Sequence, residues 1–498
     1  MELQRFFDHW TLKEHPFQAE EARDDGVYNR MLEDAITHPD FSKIYGDPSN
    51  PNTTVVFGEK GSGKTAMRLM IQRKVEEFNR NRTSGMTYLV CYDDLNPTLD
   101  KLARSVKTED VIKTLEAVRL SDHQDAILSL AVTKFLENVL SPTTKAEGKK
   151  LKKTLRKMSF QKRMDLATLA LLYDQPSGAQ SSSRWKSIIR MLKVGTSWNR
   201  VTHGAMTVTL GILGIIGGIG WKFIDSESWE AMGAAGAGGA GFLFVGGWWL
   251  IRSWKRGSLA RRLVKEIRVV SNSVKSLKNR LWDLKEESLK AEPLPKKGDQ
   301  DNRYALTSRF TDIIHEAGYS SMIVLVDRMD EPMIVNGEAD KMKLILWPMM
   351  NNKFLQQNNI GIKMLLPIEI SQMLSGESSD FRRQARLDKQ NVVNPLKWTG
   401  ITLYDLCNWR FNNCQSGEKV RLEDLFDDET SQSDLIDALE QMHQPRDAFK
   451  FLYAIIAEHC NNTSSDEESF KISRSTLDFV RRSQKERLVE LYRGTGTA

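Results

Sequence analysis

A glycine-rich loop between a strand pattern and a helix pattern constrains the fold of this chain more than any other feature. The loop reads Gly58-Glu59-Lys60-Gly61-Ser62-Gly63-Lys64-Thr65. Residues 53–57 before it are all β-branched or aromatic and predict a strand, and the residues from 65 onward predict a helix. Glycines let backbone N–H groups wrap around phosphate oxygens, and the helix N-terminus adds its positive end. The pattern therefore predicts an α/β fold with a phosphate-binding loop.

Two side chains at the end of this loop have specific expected roles. Lys64 is expected to reach the β- and γ-phosphates of a nucleoside triphosphate, and the Thr65 hydroxyl to bind Mg²⁺. The other interpretation, an ordinary glycine turn, does not account for the strand before the loop and the helix after it. The sequence thus predicts ATP and Mg²⁺ as cofactors, although no base-reading motif distinguishes ATP from GTP.

An acidic segment after a second buried strand is the expected partner of the loop. Residues 322–326 form a continuous apolar run, which is typical of a parallel strand covered on both faces. Asp327 follows directly and is the natural Mg²⁺ ligand. Asp330 or Glu331 is expected to orient and deprotonate the attacking water, and the sequence does not decide between them. Alternatively, these acids only cap the strand before Pro332.

The acidic segment also carries a family resemblance. A hydrophobic strand ending Asp-x-hydrophobic-Asp-Glu resembles the acidic motif of the STAND ATPases. Apolar segments between the two nucleotide motifs resemble the KAP group of that AAA-related assembly. The resemblance implies a P-loop ATPase with a parallel sheet, flanking helices, a helical insert and a helical C-terminal lid. Arg328 departs from the pattern, because KAP-type proteins often have a second acid there.

The resemblance also implies roles for residues outside the two motifs. Glu369 follows a third strand pattern and is expected near the γ-phosphate. Arg382 and Arg383 are candidates for an arginine finger offered to a neighbouring subunit, although they are equally explained as solvated or bound to local acids. Arg446, at the start of a helix, resembles the nucleotide-sensing arginine of a lid. Residues 15–17 resemble the segment before the first strand that lies near the adenine.

Two uncharged stretches lie between the nucleotide motifs. Gly204–Trp221 has 18 residues and Ala231–Ile251 has 21, close to the roughly 20 needed to span a bilayer. An acidic turn separates them, and basic residues and tryptophans flank them. By the positive-inside rule this predicts an inner-membrane protein with two spans and cytoplasmic N- and C-terminal parts. Burial of two Gly- and Ala-rich helices in a soluble core is the disfavoured alternative.

Composition and small residues suggest partners. The net charge is only +6, and the basic residues concentrate around the uncharged stretches, which favours membrane lipid over nucleic acid as the partner. The glycines of both stretches allow close helix packing, within one hairpin or between subunits of a homo-oligomer. The four cysteines show no metal-ligand spacing and suit a reducing compartment.

These landmarks predict six segments. Residues 1–95 hold the first part of the ATPase domain, 96–200 a helical insert, 201–252 the membrane hairpin and 253–300 a juxtamembrane helix and linker. Residues 301–400 complete the ATPase domain, and 401–498 form a helical lid. Apolar residues at three- and four-residue spacing over 267–284 predict a short coiled-coil seam.

The sequence therefore leads to one functional expectation with two alternatives. We expect a membrane-anchored ATPase in which nucleotide binding and hydrolysis switch an oligomeric assembly. The family resemblance adds a prokaryotic antiphage defence setting with a possible effector protein partner. The alternatives are a membrane-tethered regulator or scaffold for a separate effector, and a motor acting on nucleic acid or protein.

Overall fold

The chain has an α/β fold that divides into two compact units. The computed structural model describes residues 1–19, 22–30, 36–142, 144–176, 181–195, 209, 212, 229–296, 301–417, 419–464 and 469–494. The sheet unit comprises Met1–Asp94 and Ser320–Ala498, and the helical unit comprises Leu95–Tyr319. The helical unit is thus an insertion between two pieces of the sheet unit.

Five strands form a single sheet in the sheet unit: β1 (Thr54–Gly58), β2 (Met86–Tyr92), β3 (Tyr319–Val326), β4 (Ile360–Pro367) and β5 (Asn391–Val393). Their order is β2-β3-β4-β1-β5, and the β1–β4, β1–β5 and β3–β4 pairs are parallel. Every residue of β1 and β4 is buried, as expected for central strands covered on both faces. The predicted strand patterns therefore correspond to strands of the sheet.

The helices are, in chain order, α1 (Leu3–His9), α2 (Gly26–Arg30), α3 (Phe41–Tyr45), α4 (Lys64–Arg80), α5 (Asn96–Val106), α6 (Val111–Glu116), α7 (Leu120–Leu140), α8 (Lys145–Lys157), α9 (Phe160–Tyr173), α10 (Ser181–Leu192), α11 (Trp229–Glu266), α12 (Val274–Leu281), α13 (Glu286–Lys290), α14 (Asp301–Glu316), α15 (Ala339–Leu346), α16 (Asn352–Leu355), α17 (Ile368–Ser375), α18 (Ser379–Ala385), α19 (Gly400–Cys414), α20 (Gln432–Glu440), α21 (Pro445–Asn462) and α22 (Arg474–Gly494). Short 3₁₀ turns occur at Trp347–Met349, Leu387–Lys389 and Leu422–Leu425.

The topology of the sheet creates a crevice at its carboxyl edge. From β1 the chain continues to β2 at one edge of the sheet, whereas from β4 it continues to β5 at the other edge. The connections of two adjacent strands therefore leave in opposite directions. In open α/β sheets, ligands bind outside the carboxyl ends of the strands at such a reversal. The glycine-rich loop follows β1 directly, so it lies at this crevice.

The C-terminal helices share a core with the N-terminus of the chain. Phe6 and Phe7 of α1 are buried in one apolar cluster with residues of α19, α20 and α21, including Phe411 and Phe451. α19 packs on α20, and α21 packs on α22. This helical part of the sheet unit brings the start of α21 to the glycine-rich loop.

The helical unit is organised around a buried acid on α7. Helix α7 packs on α9 and α14, and α9 packs on α10. Asp125 is fully buried and accepts hydrogen bonds from Arg303 of α14 (Nη2 to Oδ2, 3.0 Å) and from the Tyr173 hydroxyl of α9 (2.8 Å). Burial raises the pKa of Asp125 to about 6, and the adjacent Arg303 guanidinium opposes that rise. One ionic cluster thus links three helices of this unit.

The predicted coiled-coil seam is not one helix. Helix α11 ends at Glu266 and α12 begins at Val274, so residues 267–273 separate them in a non-helical segment. All apolar residues of the pattern except the half-buried Val274 are nevertheless buried, including Ile267, Leu277 and Leu281. Their spacing reflects burial in the core of the helical unit. A heptad pattern of only two repeats does not distinguish such a core from a coiled coil.

The predicted membrane hairpin, and the inner-membrane localisation based on it, are wrong. Among the residues that the structure describes, no helix is both long enough and apolar enough to cross a membrane. The first stretch, Gly204–Trp221, lies outside the described residues except for 209 and 212. The second forms part of α11, and 7 of its 21 residues are glycine, which adds no apolar side chain. The absence of charged residues from these stretches was therefore a poor indication that they are apolar enough to span a membrane.

Two of the basic residues that follow the second stretch have partners within the helical unit. Arg256 is 4 % exposed, donates to the Leu284 carbonyl (3.2 Å) and lies over the Trp282 ring. Arg268 pairs with Asp122 at 2.5 Å. The charge distribution that suggested a cytoplasmic face of a membrane protein therefore arises in part from arginines that the fold uses internally.

Candidate nucleotide-binding site

The glycine-rich loop has the backbone conformation of a phosphate cradle. Gly58 ends β1, Gly61 and Gly63 have φ angles of +98° and +93°, and α4 begins at Lys64. Such positive φ values favour glycine. A Cβ on Gly58 would lie 2.5 Å from Ser62 Oγ, so the tight turn excludes a side chain there. No side chain caps the N-terminus of α4, which leaves its first amides directed at the loop, as anion binding requires.

Lys64 is folded back onto its own loop. Its Nζ donates hydrogen bonds to the carbonyls of Gly58 (2.7 Å) and Glu59 (2.8 Å). Burial lowers the pKa of the Lys64 ammonium. The carboxylates of Asp330, Asp327 and Glu369 oppose this effect by raising the same pKa. These three acids are therefore close enough to Lys64 to act on its charge.

Asp327 is held at the end of β3 by a buried arginine. It is 2 % exposed, and its Oδ2 lies 3.3 Å from Arg68 Nε without hydrogen-bond geometry. Arg68 also pairs with Asp93, just after β2, at 2.5 Å. Burial raises the pKa of Asp327 to about 6, and the Arg68 guanidinium lowers it. Arg68 was not a sequence prediction; its position one helical turn after Lys64 is the only local signal for it.

The two candidate water-orienting acids have different surroundings. Arg328, with a φ of +60°, turns its side chain to form an ion pair with Glu331. The Glu331 side chain is 47 % exposed. Asp330 instead contributes the largest carboxylate effect on the Lys64 pKa, and its carboxylate has no hydrogen-bond partner among the described residues. Both acids line the cavity, but Asp330 is the one that acts on the Lys64 charge and has no ion-pair partner among the described residues.

The start of α21 closes over the loop from the other side. A Cβ on Gly61 would lie 2.9 Å from Gln444 Oε1 and 3.1 Å from Arg446 Cβ. Gln444 also donates from Nε2 to the Glu59 carboxylate. The Arg446 guanidinium lowers the Lys64 pKa, so its charge acts at the same site. The structure thus brings the predicted Arg446 to the loop, and it adds Gln444, which no sequence pattern indicated.

The loop opens into a cavity of about 610 Å³, within the usual range of about 300–1,000 Å³ for ligand pockets. Its polar lining includes Lys60, Lys64, Thr65, Asp327, Asp330 and Glu331. Its apolar lining consists of Ala19, Ala22, Tyr28, Ile36, Phe41, Met67, Met70, Leu396, Leu406, Trp398, Trp409, Pro445 and Phe449. The cavity lining therefore combines charged side chains that suit phosphates with apolar side chains that suit a base.

The segment after residues 15–17 contributes to the lining of the cavity. Arg410 donates to the Pro16 carbonyl and pairs with Asp25, which lines the cavity. The Trp398 indole donates to the Ser62 carbonyl at 2.9 Å and so supports the loop. The apolar lining thus comes from four parts of the chain, and sequence patterns did not indicate the part around Leu396 and Trp398.

Arg382 and Arg383 lie elsewhere on the sheet unit. Both belong to α18 and are exposed. Arg382 donates to the Glu377 carbonyl (3.1 Å), and Arg383 pairs with Asp380. Neither is among the described residues that line the cavity. They do not serve the nucleotide site of their own chain in this conformation.

The site offers few protein ligands for a metal. Among the described residues, no group of three or more His, Cys, Asp or Glu side chains could hold an ion. Mg²⁺ usually needs only one or two carboxylates, because phosphate and water oxygens complete its octahedron. The buried Oδ2 of Asp327, which lacks a hydrogen bond, fits that requirement.

Comparison of the chain with protein-family models, with curated proteins and with solved structures gives no match. The functional argument therefore rests on the geometry of this cavity.

Proposed function

We propose that this chain is a Mg²⁺-dependent nucleoside triphosphatase of the P-loop class, with ATP as its substrate. The observation that carries the proposal is the convergence of the loop ammonium, two strand-end carboxylates and a lid arginine on one cavity. An ordinary glycine turn requires none of these charged groups around it. Transfer of the γ-phosphoryl group depends mainly on positioning and on charge stabilisation, which is the chemistry that these groups can supply.

Each group has a distinct role in this proposal. The amides of the loop and of the α4 N-terminus bind the phosphates. Lys64 gives up its hydrogen bonds to the Gly58 and Glu59 carbonyls and donates to phosphate oxygens instead. Asp327 and the Thr65 hydroxyl would hold Mg²⁺, which would supply positive charge at the phosphate oxygens. Arg446 adds positive charge from the side of the lid.

Asp330 is the proposed water-orienting acid. Its carboxylate faces Lys64 and has no competing partner among the described residues, whereas Glu331 is engaged by Arg328. A carboxylate that is already ion-paired and half exposed is a weaker base for a water in the cavity. This assignment gives a role to Arg328, the residue that departs from the family pattern. Its ion pair with Glu331 leaves Asp330 as the acid available to orient the water.

A nucleotide-dependent oligomer remains part of the proposal. Arg382 and Arg383 are exposed and away from the cavity of their own chain, so a catalytic role requires the cavity of a neighbouring subunit. Hydrolysis per subunit should then rise with protein concentration, and Arg382→Ala with Arg383→Ala should remove that rise. A rate per subunit that is independent of concentration would contradict the finger role while leaving the hydrolysis proposal intact.

The central test compares Lys64→Ala with Lys74→Ala. Lys74 lies on the same helix and forms a surface pair with Glu77, so it controls for loss of a lysine from α4. We expect Lys64→Ala to lower Mg²⁺-dependent phosphate release at least about 100-fold and Lys74→Ala to leave it unchanged. Circular dichroism checks that both variants fold. Equal turnover in the two variants would refute the proposed site.

A further inference from the structure

The charge of the chain is divided unevenly between its two units. Residues 95–319, the helical unit, contain 37 Lys and Arg and 22 Asp and Glu, a net charge of +15. The rest of the chain contains 34 Lys and Arg and 43 Asp and Glu, which gives it a net charge of −9. The overall value of +6 therefore conceals a strongly basic unit. Such an asymmetry between parts of a chain is typical of binding to a polyanion.

Helix α8 carries the densest part of this charge. Its exposed basic side chains are Lys145, Lys149, Lys150, Lys153, Arg156 and Lys157. At 3.6 residues per turn they occupy one arc of about 140°. Leu155 on the opposite face is fully buried, and α8 packs on α7 and α10. The helix is therefore anchored through its apolar face and presents its basic face outward.

Helix α10, which packs on α8, extends the basic surface. Lys186, Arg190 and the following Lys193 are exposed, at spacings of four and three residues that keep them on one side. None of these three residues or the six of α8 forms an ion pair with a residue that the structure describes. We call these nine residues the cationic surface. Their charge is not neutralised within the described part of the chain.

The chemistry of the surface distinguishes between possible polyanions. A helix that adsorbs to a membrane must insert an exposed apolar face. Among the described residues, α8 and α10 expose no large apolar side chain. Trp185, Ile188 and Leu192 of α10 are buried, as is Leu155 of α8. Single-stranded nucleic acid is usually held by exposed aromatic rings, and the one aromatic residue of these helices is the buried Trp185. A surface of charge alone fits the phosphate backbone of a duplex.

We infer that the cationic surface binds duplex nucleic acid through its phosphate backbone and without sequence preference. This replaces the lipid headgroups that the sequence favoured. The thirteen residues of α8 span about 18 Å, along which a duplex carries about ten phosphates, half of them on the facing side. About five contacts correspond to a salt slope of about −4.5, or about 500-fold weaker binding at 200 mM than at 50 mM salt. The inference does not depend on nucleotide hydrolysis.

The test is fluorescence anisotropy of a labelled 30-base-pair duplex with the full chain from 50 to 200 mM salt. The variant Lys149→Gln/Lys153→Gln/Arg156→Gln neutralises the centre of the surface. The control Lys13→Gln/Lys389→Gln/Lys485→Gln changes the net charge equally with exposed lysines of the sheet unit. We expect the first variant to bind at least about tenfold more weakly and to reduce the salt slope by about three. We expect the control to match the original protein.

Three outcomes would overturn the inference. One is the absence of duplex binding at 50 mM salt, and another is equal weakening by the two triple variants. The third is preference for another polyanion, measured with a 30-nucleotide single strand and with phosphatidylserine vesicles in parallel. Tighter binding to the single strand, or sedimentation with vesicles without duplex binding, assigns the surface to that partner. Because all six substituted positions are exposed, melting curves should coincide and exclude misfolding as the cause.

Discussion

The buried pair of Asp125 and Arg303 gives the sharpest stability prediction for the helical unit. Asp125 is fully buried, and Arg303 binds its carboxylate through Nε (3.2 Å) and Nη2 (3.0 Å). Arg303→Met removes that charge and leaves the carboxylate with the Tyr173 hydroxyl. Loss of one partner of a buried ion pair costs about 3–5 kcal/mol, because the remaining charge is uncompensated. For a unit of this size the melting temperature should fall by about 10 °C.

The pH dependence of this loss tests its cause. The pKa of Asp125 is raised to about 6 in the folded chain, above its value of about 4 when unfolded. Its contribution to stability is therefore fully present below about pH 4 and decreases as the pH rises to about 6. Without Arg303 the folded pKa is higher still, so the decrease continues beyond pH 6. At pH 5 the variant keeps Asp125 protonated, and the cost should shrink to about 1–2 kcal/mol of lost hydrogen bonds.

Urea unfolding followed by circular dichroism at pH 5 and pH 8 measures both effects. Asp125→Asn/Arg303→Met should recover most of the loss at pH 8, since it removes the uncompensated charge and keeps an acceptor for Tyr173. Lys113→Met, which breaks an exposed pair with Asp110, should leave the free energy of unfolding nearly unchanged at both pH values. A loss in Arg303→Met that is equal at both pH values would refute the electrostatic explanation and point to lost packing.

Three further predictions concern the sheet unit. Burial lowers the pKa of Lys363 to about 7 in the folded chain. Between about pH 7 and 10, the Lys363 side chain is therefore protonated in the unfolded chain but neutral in the folded chain. The free energy of unfolding should therefore rise across that window by at most about 1.4 kcal/mol per pH unit. When it is measured by urea unfolding at several pH values, Lys363→Met should lack this contribution to the rise. Asp330→Asn should retain nucleotide binding in calorimetry and lower phosphate release about 10²–10⁴-fold, whereas Glu331→Gln should keep most activity; the reverse order would assign the base to Glu331. Trp398→Phe removes the hydrogen bond to the Ser62 carbonyl and should weaken ATP binding about fivefold, with unchanged affinity counting against a supporting role.

Local signals in the sequence predict the strands and the loop well. Residues 86–92 and the apolar run before Asp327 correspond to β2 and to the second half of β3, because buried parallel strands have continuous apolar runs of limited length. The helix after the loop and the helix that opens at Pro445 are marked by their first residues. These elements depend on short-range preferences that a single sequence displays.

Contacts between distant segments are not visible in the same way. Arg68 and Asp327 are separated in sequence by the whole helical unit, yet they are 3.3 Å apart. Likewise, Trp398 supports a loop that belongs to the other piece of the sheet unit. No residue pattern encodes such a pairing, because it depends on which strands become neighbours. The same limit applies to the basic flanks of the predicted hairpin: local composition could not show that Arg256 and Arg268 have partners within the helical unit.

The Arg68 bridge suggests why the helical unit is inserted where it is. Asp93, the second partner of Arg68, follows β2 and precedes the first residue of the helical unit by two positions. Arg68 thus lies between the Asp93 and Asp327 carboxylates. The end of β2 is therefore the point at which the Arg68 bridge reaches the chain segment leading to the helical unit. An insertion after β1 or β4 would lack this connection, since the guanidinium joins the ends of β2 and β3 only.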